Sequence, residues 1–287
     1  MSDDATRELA AFLRTRRERL APDDFALRTS GRPRRTPGLR REEVAELAGV
    51  SVDYVVRLEQ GRGLRPSPEV LEALARALRL TDDECSYLFD LAGQRRARPR
   101  RPRPGAGRVP DSLAQLVGDL SPLPCMLVNH RFDILAWNPE MAGLMLDFGE
   151  LPEHRRNSMW LCLLYPPLRD FYRDRELIIR EGIADLRAAW AAHPEDAALG
   201  GLIDELAAHS DEFARLWAMR DVKVNGRGRK ALLHPGVGPL TVAYEVLAPL
   251  QDPDQRLVIY RGADAESRVA LDAIAREAGD RALAGLG

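Results

Sequence analysis

Lysine, cysteine and long apolar stretches are scarce in this sequence. Its 287 residues include only two lysines, Lys223 and Lys230, and three cysteines, Cys85, Cys125 and Cys162. Three cysteines that lie far apart are more typical of buried thiols in a reducing compartment than of a disulfide framework or a zinc site. No stretch has the apolar length that a membrane-spanning helix needs, and the first residues lack the apolar segment of a secretion signal. We therefore expect a cytoplasmic protein with no membrane insertion.

Sequence signatures of catalysis are also missing. The five histidines lie in separate segments, without the HExxH spacing of zinc hydrolases. The glycines of NGRGRK are not followed by the GKS or GKT of a phosphate-binding loop, and no GxSxG occurs. The carboxylates of RDRE and RDFY are more typical of helix surfaces than of an acid–base pair. We expect no enzyme activity, no catalytic residue, no metal site and no obligatory cofactor.

Charge is abundant but unevenly distributed along the chain. Residues 1–108 contain 23 arginines, no lysine and 17 acidic residues, so this part carries a net charge of +6. The remainder carries −8, which together gives the net charge of −2. A basic region attracts polyanions such as DNA, whereas an acidic region is repelled by them. The first part of the chain is therefore the candidate for nucleic-acid binding.

The segment 40–61, RREEVAELAGVSVDYVVRLEQG, predicts two short helices joined by a tight turn. Gly49 suits the left-handed backbone that ends a helix, and Ser51 is a favourable N-cap for the next one. Val55 and Leu58 lie three residues apart and can face the first helix. This is the helix-turn-helix pattern, whose second helix enters the DNA major groove. The alternative is an ordinary helical hairpin in a bundle.

The motif AxLAGVSxxYxxRLEQGR, spelled here AELAGVSVDYVVRLEQGR, resembles the Xre (lambda-repressor-like) helix-turn-helix proteins. The resemblance implies a mainly helical, five-helix DNA-binding domain. We expect the recognition helix to read bases through Val52, Asp53 and Arg57. The predicted phosphate contacts are Arg40, Arg41, Ser51, Tyr54, Arg62 and Arg65. A homodimer on a double-stranded operator is expected, because one helix-turn-helix reads few bases.

Composition predicts two domains and a linker. Residues 1–94 form the helix-turn-helix domain, with helices at 6–20, in the motif, and after the N-caps Ser67 and Thr81. Residues 95–110 are rich in arginine, proline and glycine and lack apolar periodicity, which is typical of a linker. Residues 111–287 form the second domain.

The second domain has the element order of a PAS-like fold. CMLVN and DILAWN predict two strands, a run of helices follows, and RKALLHP, GPLTVAYEVLAPL and QRLVIYRG predict three more strands before a closing helix. We expect an α+β domain with a five-stranded antiparallel sheet and helices on one face.

The segments PLPCMLVNHRFDILAWNPEM, FARLWAMRDV, LLHPGVGPLTVAYEVL and DPDQRLVIY are similar to the ligand-binding domain of MmyB-like transcription regulators. The resemblance implies a sensor that holds a fatty acid or a similar lipid-like molecule. The predicted pocket comprises Val128, Leu135, Trp137, Phe148, Trp160, Leu163, Phe171, Trp217, Val242, Tyr244 and Val258. Plain core remains the alternative for each of them. A ligand carboxylate is expected to meet Arg155, Arg156 or Arg173.

Together these features predict a sequence-specific DNA-binding transcription regulator whose second domain senses a small apolar ligand, fatty-acid-like in character. One alternative is a regulator whose second domain only mediates dimerisation or protein interaction. A less favoured alternative is an enzyme that carries a regulatory helix-turn-helix.

Overall fold

The structure is a computed structural model that describes residues 3–25, 38–62, 65–94 and 109–284. The chain divides into two compact units. The first is built on the early helices, and two short later segments, 190–196 and 220–223, group with it. The predicted linker lies outside the described residues except for its last two positions. Across the described ranges, no helix combines the length and apolar character needed to cross a membrane.

The first unit contains the five predicted helices. They are α1 (Asp3–Arg19), α2 (Arg41–Ala48), α3 (Val52–Glu59), α4 (Pro68–Ala77) and α5 (Asp82–Leu91). A short 3-10 turn at Pro22–Asp24 follows α1. Their apolar stripes meet in one core, in which Phe12, Leu71 and Leu88 are fully buried. The predicted helical class of this region is therefore confirmed.

The helix-turn-helix forms because local signals fix both ends of its turn. Gly49 adopts φ = 66° and ends α2, and the Ser51 hydroxyl accepts a hydrogen bond from the Tyr54 backbone N–H at 3.1 Å to begin α3. Apolar character alone would place Leu47 in the core with Val44 and Ala45, but its side chain is 38% exposed. It follows the buried Ala45 by two residues, and about 200° of helical rotation turns it away from the core.

The second unit is an α+β domain. Its helices are α6 (Asp111–Asp119), α7 (Pro139–Leu144), α8 (Ser158–Leu164), α9 (Arg175–Ala192), α10 (Ala197–His209), α11 (Asp211–Ala218) and α12 (Ala265–Ala284). Its strands are β1 (Cys125–Asn129), β2 (Ile134–Trp137), β3 (Arg227–His234), β4 (Gly238–Leu247) and β5 (Gln255–Gly262). They form one antiparallel sheet in the order β2-β1-β5-β4-β3. The predicted five-stranded antiparallel sheet with helices is confirmed.

Both faces of the sheet are covered, which differs from the expectation of helices on one face. The main core packs α7, α8 and α12 residues against Met126 and Val258. On the opposite face Val117 of α6 packs against Leu127 and Leu257. Alternate residues of a strand point to opposite faces, and every residue of β1 is buried. A central strand that is apolar on both sides requires cover on both sides.

Candidate functional site

The first candidate site is the outer surface of α3. Asp53 and Arg57 are exposed and lie one helical turn apart, while Val52 at the start of the helix is 44% exposed. The opposite side of the helix is buried through Val55 and Leu58. The three predicted base-reading side chains are thus turned away from the core, where a groove of DNA is able to reach them.

The predicted phosphate contacts occupy different environments around α3. The Ser51 hydroxyl is engaged as the helix cap, and Arg62 and Arg65 are exposed. Tyr54 is half-buried, and this burial raises the pKa of its hydroxyl, which therefore stays neutral at physiological pH. Arg40 is half-buried at the start of α2, where its backbone N–H donates to the Glu43 carboxylate at 2.6 Å.

Glu59 connects the helices of this surface and was missed in the sequence analysis. It is 2% exposed, and Arg17 of α1 donates to its two carboxylate oxygens at 2.6 and 3.1 Å. Arg41 of α2 donates to the same carboxylate at 2.8 Å, although its side chain remains 42% exposed. The ion pairs orient Arg41 at the first turn of α2. The available signal was spacing, because Glu59 follows the core residue Val55 by four positions and shares its face.

The second candidate site is a cavity of about 100 Å³ inside the second unit. All five strands contribute to its sheet wall, and its helical wall comes from α8, α9 and the end of α7. Most of the wall is apolar and includes Met126, Val128, Met145, Met159, Ile178, Ile179, Val246 and Val258. Gly182 of α9 allows the Met159 side chain of α8 to approach the α9 backbone closely, since a Cβ at position 182 would lie 2.7 Å from the Met159 sulfur. Methionine side chains adapt readily to the shape of a guest.

A lysine surrounded by three tyrosines lies at one end of this cavity. The Lys230 ammonium donates a hydrogen bond to the Tyr260 hydroxyl at 3.1 Å. It also lies 4.9 Å from the ring centroid of Tyr244 and 5.5 Å from those of Tyr172 and Tyr260. These distances are within the range of cation–π attraction. Among the residues that the structure describes, no carboxylate forms an ion pair with Lys230.

The protonation states at this end follow from burial and hydrogen bonding. Burial acts to lower the pKa of Lys230, but the interactions with Tyr260 and Cys162 outweigh it and raise the pKa above the usual lysine value. Burial raises the pKa of the Cys162 thiol, and it raises the pKa of Tyr172 well above its usual value. At neutral pH Lys230 therefore carries its proton, and the Cys162 thiol and the Tyr172 hydroxyl are neutral.

The other end of the cavity is polar but internally paired. Arg256 of β5 donates to both carboxylate oxygens of Asp185, at 2.7 and 2.8 Å, and Asp185 is only 3% exposed. Asn225 bonds both to this carboxylate and to the backbone carbonyl of Glu181. Arg256 and Tyr260 point to the same face of β5 and are four residues apart, a span of about 13 Å.

The predicted pocket residues are partly brought together. Val128, Tyr244 and Val258 line the cavity. Trp137, Phe148, Trp160, Phe171 and Val242 belong to the surrounding core cluster but are not part of the cavity wall. Leu135 packs on the α6 side of the sheet, and Leu163 is half-buried on α8. Trp217 stacks on Phe213 with ring centroids 5.5 Å apart. Strand alternation accounts for Leu135, since it is one residue from the inward-facing Ile134.

The three arginines predicted to meet a carboxylate lie elsewhere. Arg155 forms an ion pair with Glu205 and Arg156 donates to the Leu151 carbonyl at 3.1 Å. Arg173 is exposed. Within the described part of the chain, the cations that line the cavity are Lys230 and Arg256. Strand alternation was the missed signal for Lys230, because it lies two residues before the buried Leu232 and shares its face.

Comparisons with known proteins agree with this division into two sites. A family model described as the MmyB-like transcription regulator ligand binding domain matches residues 109–274, and a model described as a helix-turn-helix domain matches residues 8–88. The cavity lies within the first match and the α3 surface within the second. No curated protein matches the chain.

Proposed function

The chain belongs to the family of MmyB-like transcription regulators, and we propose that its second unit senses a small, apolar, fatty-acid-like ligand that controls operator binding by the first unit. In this proposal residues 1–94 bind DNA, 95–110 are the linker, and 111–287 form the sensor. The protein acts in the cytoplasm as a homodimer, so that two recognition helices read two half-sites.

The observation that carries the sensing proposal is the apolar cavity with a single unpaired cation at one end. Ligand sites in proteins are typically concave and mostly apolar, with a few polar groups that fix orientation. For scale, an engineered apolar cavity of about 150 Å³ accommodates benzene. The cavity therefore accepts a short apolar segment, and a longer chain requires Met145 and Met159 to move.

For DNA binding, the exposed residues of α3 supply the base contacts. Asp53 accepts a hydrogen bond from a cytosine amino group, Val52 contacts a thymine methyl, and Arg57 donates to a guanine. The phosphate contacts are those of the arginines around the motif, together with the hydroxyls of Ser51 and Tyr54. A ligand changes this binding only if it prefers one of two arrangements of the protein.

Native mass spectrometry of the full chain purified from cells tests the sensing proposal. We expect a mass that includes a small apolar acid, which denaturing extraction then releases for identification. An unliganded mass, together with a melting temperature that straight-chain fatty acids leave unchanged, would contradict the proposal and favour a second unit that serves only for protein interaction.

A further inference from the structure

We propose that Lys230 is the residue that binds the acidic head group of the ligand. This inference rests on the sensing function proposed above and adds the residue that recognises the head group. It differs from the sequence-based expectation, which assigned the carboxylate to one of three arginines.

The two cations of the cavity differ in their partners, and this difference carries the inference. Arg256 is neutralised by Asp185 at 2.7 and 2.8 Å. Lys230 has only the Tyr260 hydroxyl and the faces of three rings, with no carboxylate among the described residues. Lys230 is half-buried, and a charge that is withdrawn from water is normally paired. The unpaired cation inside an apolar cavity therefore marks the place of an anion.

The tyrosine cage holds the ammonium in position without neutralising it. An ammonium has three N–H donors, and the hydrogen bond to Tyr260 uses one of them. The Tyr260 hydroxyl accepts from Lys230 and can donate its own hydrogen to a bound oxygen. Gly228 supports the cage, since a Cβ there would lie 2.9 Å from the Tyr244 ring. The site thus offers one positive charge with several donors directed at one acceptor group.

The single charge selects among possible anions. A carboxylate carries one negative charge, whereas a phosphate monoester carries about −1.5 to −2 near neutral pH. The cage supplies one cation, and the second cation of the cavity is already paired with Asp185. Glu181, one turn of α9 before Asp185, also lines the cavity and adds a negative charge. A phosphate would therefore keep an uncompensated charge in this site, so the site favours a carboxylate.

The cavity also gives the tail its direction. From Tyr260 it follows β5 past Val258 toward Arg256, a distance of about 13 Å. Each buried methylene is expected to raise affinity about fourfold. This gain ends where the tail meets the Asp185–Arg256 pair, because displacing a buried ion pair is unfavourable.

Calorimetric titration of the full chain with straight-chain carboxylates from butanoate to dodecanoate, and with their methyl esters, tests the inference. We expect each acid to bind about 10- to 100-fold more tightly than its ester, the range for a hydrogen bond to a charged group. Equal affinities for acid and ester would overturn the role of Lys230 while leaving an apolar sensor intact. Absence of binding by both series would overturn the sensing function itself.

Substitutions test whether the preference for acids over esters depends on the Lys230 side chain. Lys230→Met keeps the length and removes the charge, so it should abolish the preference for acids while retaining ester binding. Lys230→Arg should keep part of the preference. Lys223→Met is the matched control, because it removes the other lysine, which is exposed, and should leave the preference unchanged. An acid preference that persists in Lys230→Met would overturn the inference.

A measurement on the unsubstituted protein tests the role of Lys230 without relying on the folding of any variant. Labelling lysine with 13C at Cε gives only two signals, because the chain has two lysines. The Lys230 signal should lie upfield, since three aromatic rings surround it. Adding octanoate should shift this signal and leave that of Lys223 in place. An unshifted Lys230 signal at saturating octanoate would contradict the assignment.

Discussion

Buried charged side chains determine both sites at the scale of single residues. Glu59 of α3 holds arginines from two other helices, Arg17 of α1 and Arg41 of α2. Asp185 holds Arg256 at one end of the cavity. Removing one member of such a group leaves an uncompensated buried charge, which is usually more destabilising than the pair was stabilising. Substituting one member of a buried ion pair is therefore expected to lower the free energy of unfolding.

Glu59→Gln should destabilise the first unit by about 3–5 kcal/mol, because Arg17 then lies buried without its counter-ion. Urea unfolding followed by circular dichroism measures the change. Glu42→Gln is the matched control, since Glu42 is an exposed carboxylate on α2, and its effect should stay within about 0.5 kcal/mol. Equal stability of the two variants would show that the buried carboxylate has no special role.

Arg57→Ala should weaken binding to the preferred operator by about 1–3 kcal/mol and relax the sequence preference, because it removes the exposed side chain that we propose contacts a base. Gel-shift titration against a selected operator and a scrambled duplex measures both effects. Arg76→Ala removes an exposed arginine of α4 and serves as the control. If affinity and preference are unchanged in Arg57→Ala, Arg57 does not read bases.

Asp133 gives the second unit a dependence on pH. Burial acts to raise the pKa of its carboxyl, but hydrogen bonds from Asn129, Asn157 and Arg131 outweigh it and lower the pKa. A carboxyl whose pKa is lower in the folded state stabilises the fold above its unfolded pKa, near 3.9. This stabilisation is lost as the pH falls through the folded pKa.

Melting temperatures of the native protein and Asp133→Asn between pH 3 and pH 7 test this behaviour. The variant should be less stable at pH 7, and the difference should shrink below about pH 4 as the native carboxyl becomes protonated. Asp119→Asn changes an exposed carboxylate and should leave the profile of the native protein unaltered. A difference that stays constant over this range would contradict the assignment.

At the scale of elements, strand β3 links the sheet to the cavity. Its residues Gly228, Lys230 and Leu232 share one face, and pairing with β4 sets Gly228 opposite Tyr244. A small residue in the strand thus creates the space for the ring that borders the ammonium. This relation depends on register across two strands, which is not visible in either strand alone.

Gly228→Ala should disturb the cage by overpacking, because its Cβ would lie within 3.0 Å of three Tyr244 atoms. We expect a loss of about 1–3 kcal/mol in unfolding free energy and a reduced preference for acids over esters. Gly226→Ala is the control, since a Cβ there meets nothing within 4 Å. Unchanged stability and ligand preference in Gly228→Ala would contradict the packing argument.

The helices and strands that could be predicted from sequence are those with local signals. Helix caps and strand alternation are local signals, so the helix-turn-helix and the five strands were found with small shifts of their ends. The first helix, for example, was expected at 6–20 and spans 3–19. Leu135 and Trp217 were wrongly predicted to line the pocket. Their apolar side chains indicate burial, but apolar character does not specify which core a side chain joins.

In the whole molecule, the boundary between the basic and the acidic part of the sequence coincides with the boundary between the two family matches. The basic part contains the helix-turn-helix match, and the acidic part contains the ligand-binding match. The distribution of charge and the motif predicted the DNA-binding part. The cavity was not predictable, because it is formed by residues from strands and helices that are up to 134 positions apart, between Met126 and Tyr260.

The proposed function requires ligand binding and operator binding to be energetically coupled within one chain. Fluorescence anisotropy of a labelled operator, titrated with the full chain with and without saturating octanoate, measures this coupling. We expect octanoate to change the operator affinity about 5- to 150-fold. The same factor should appear when octanoate is titrated with and without operator, because coupling of binding free energies is reciprocal. Identical operator affinities with and without saturating octanoate, with the acid shown to be bound, would mean that the second unit does not control operator binding.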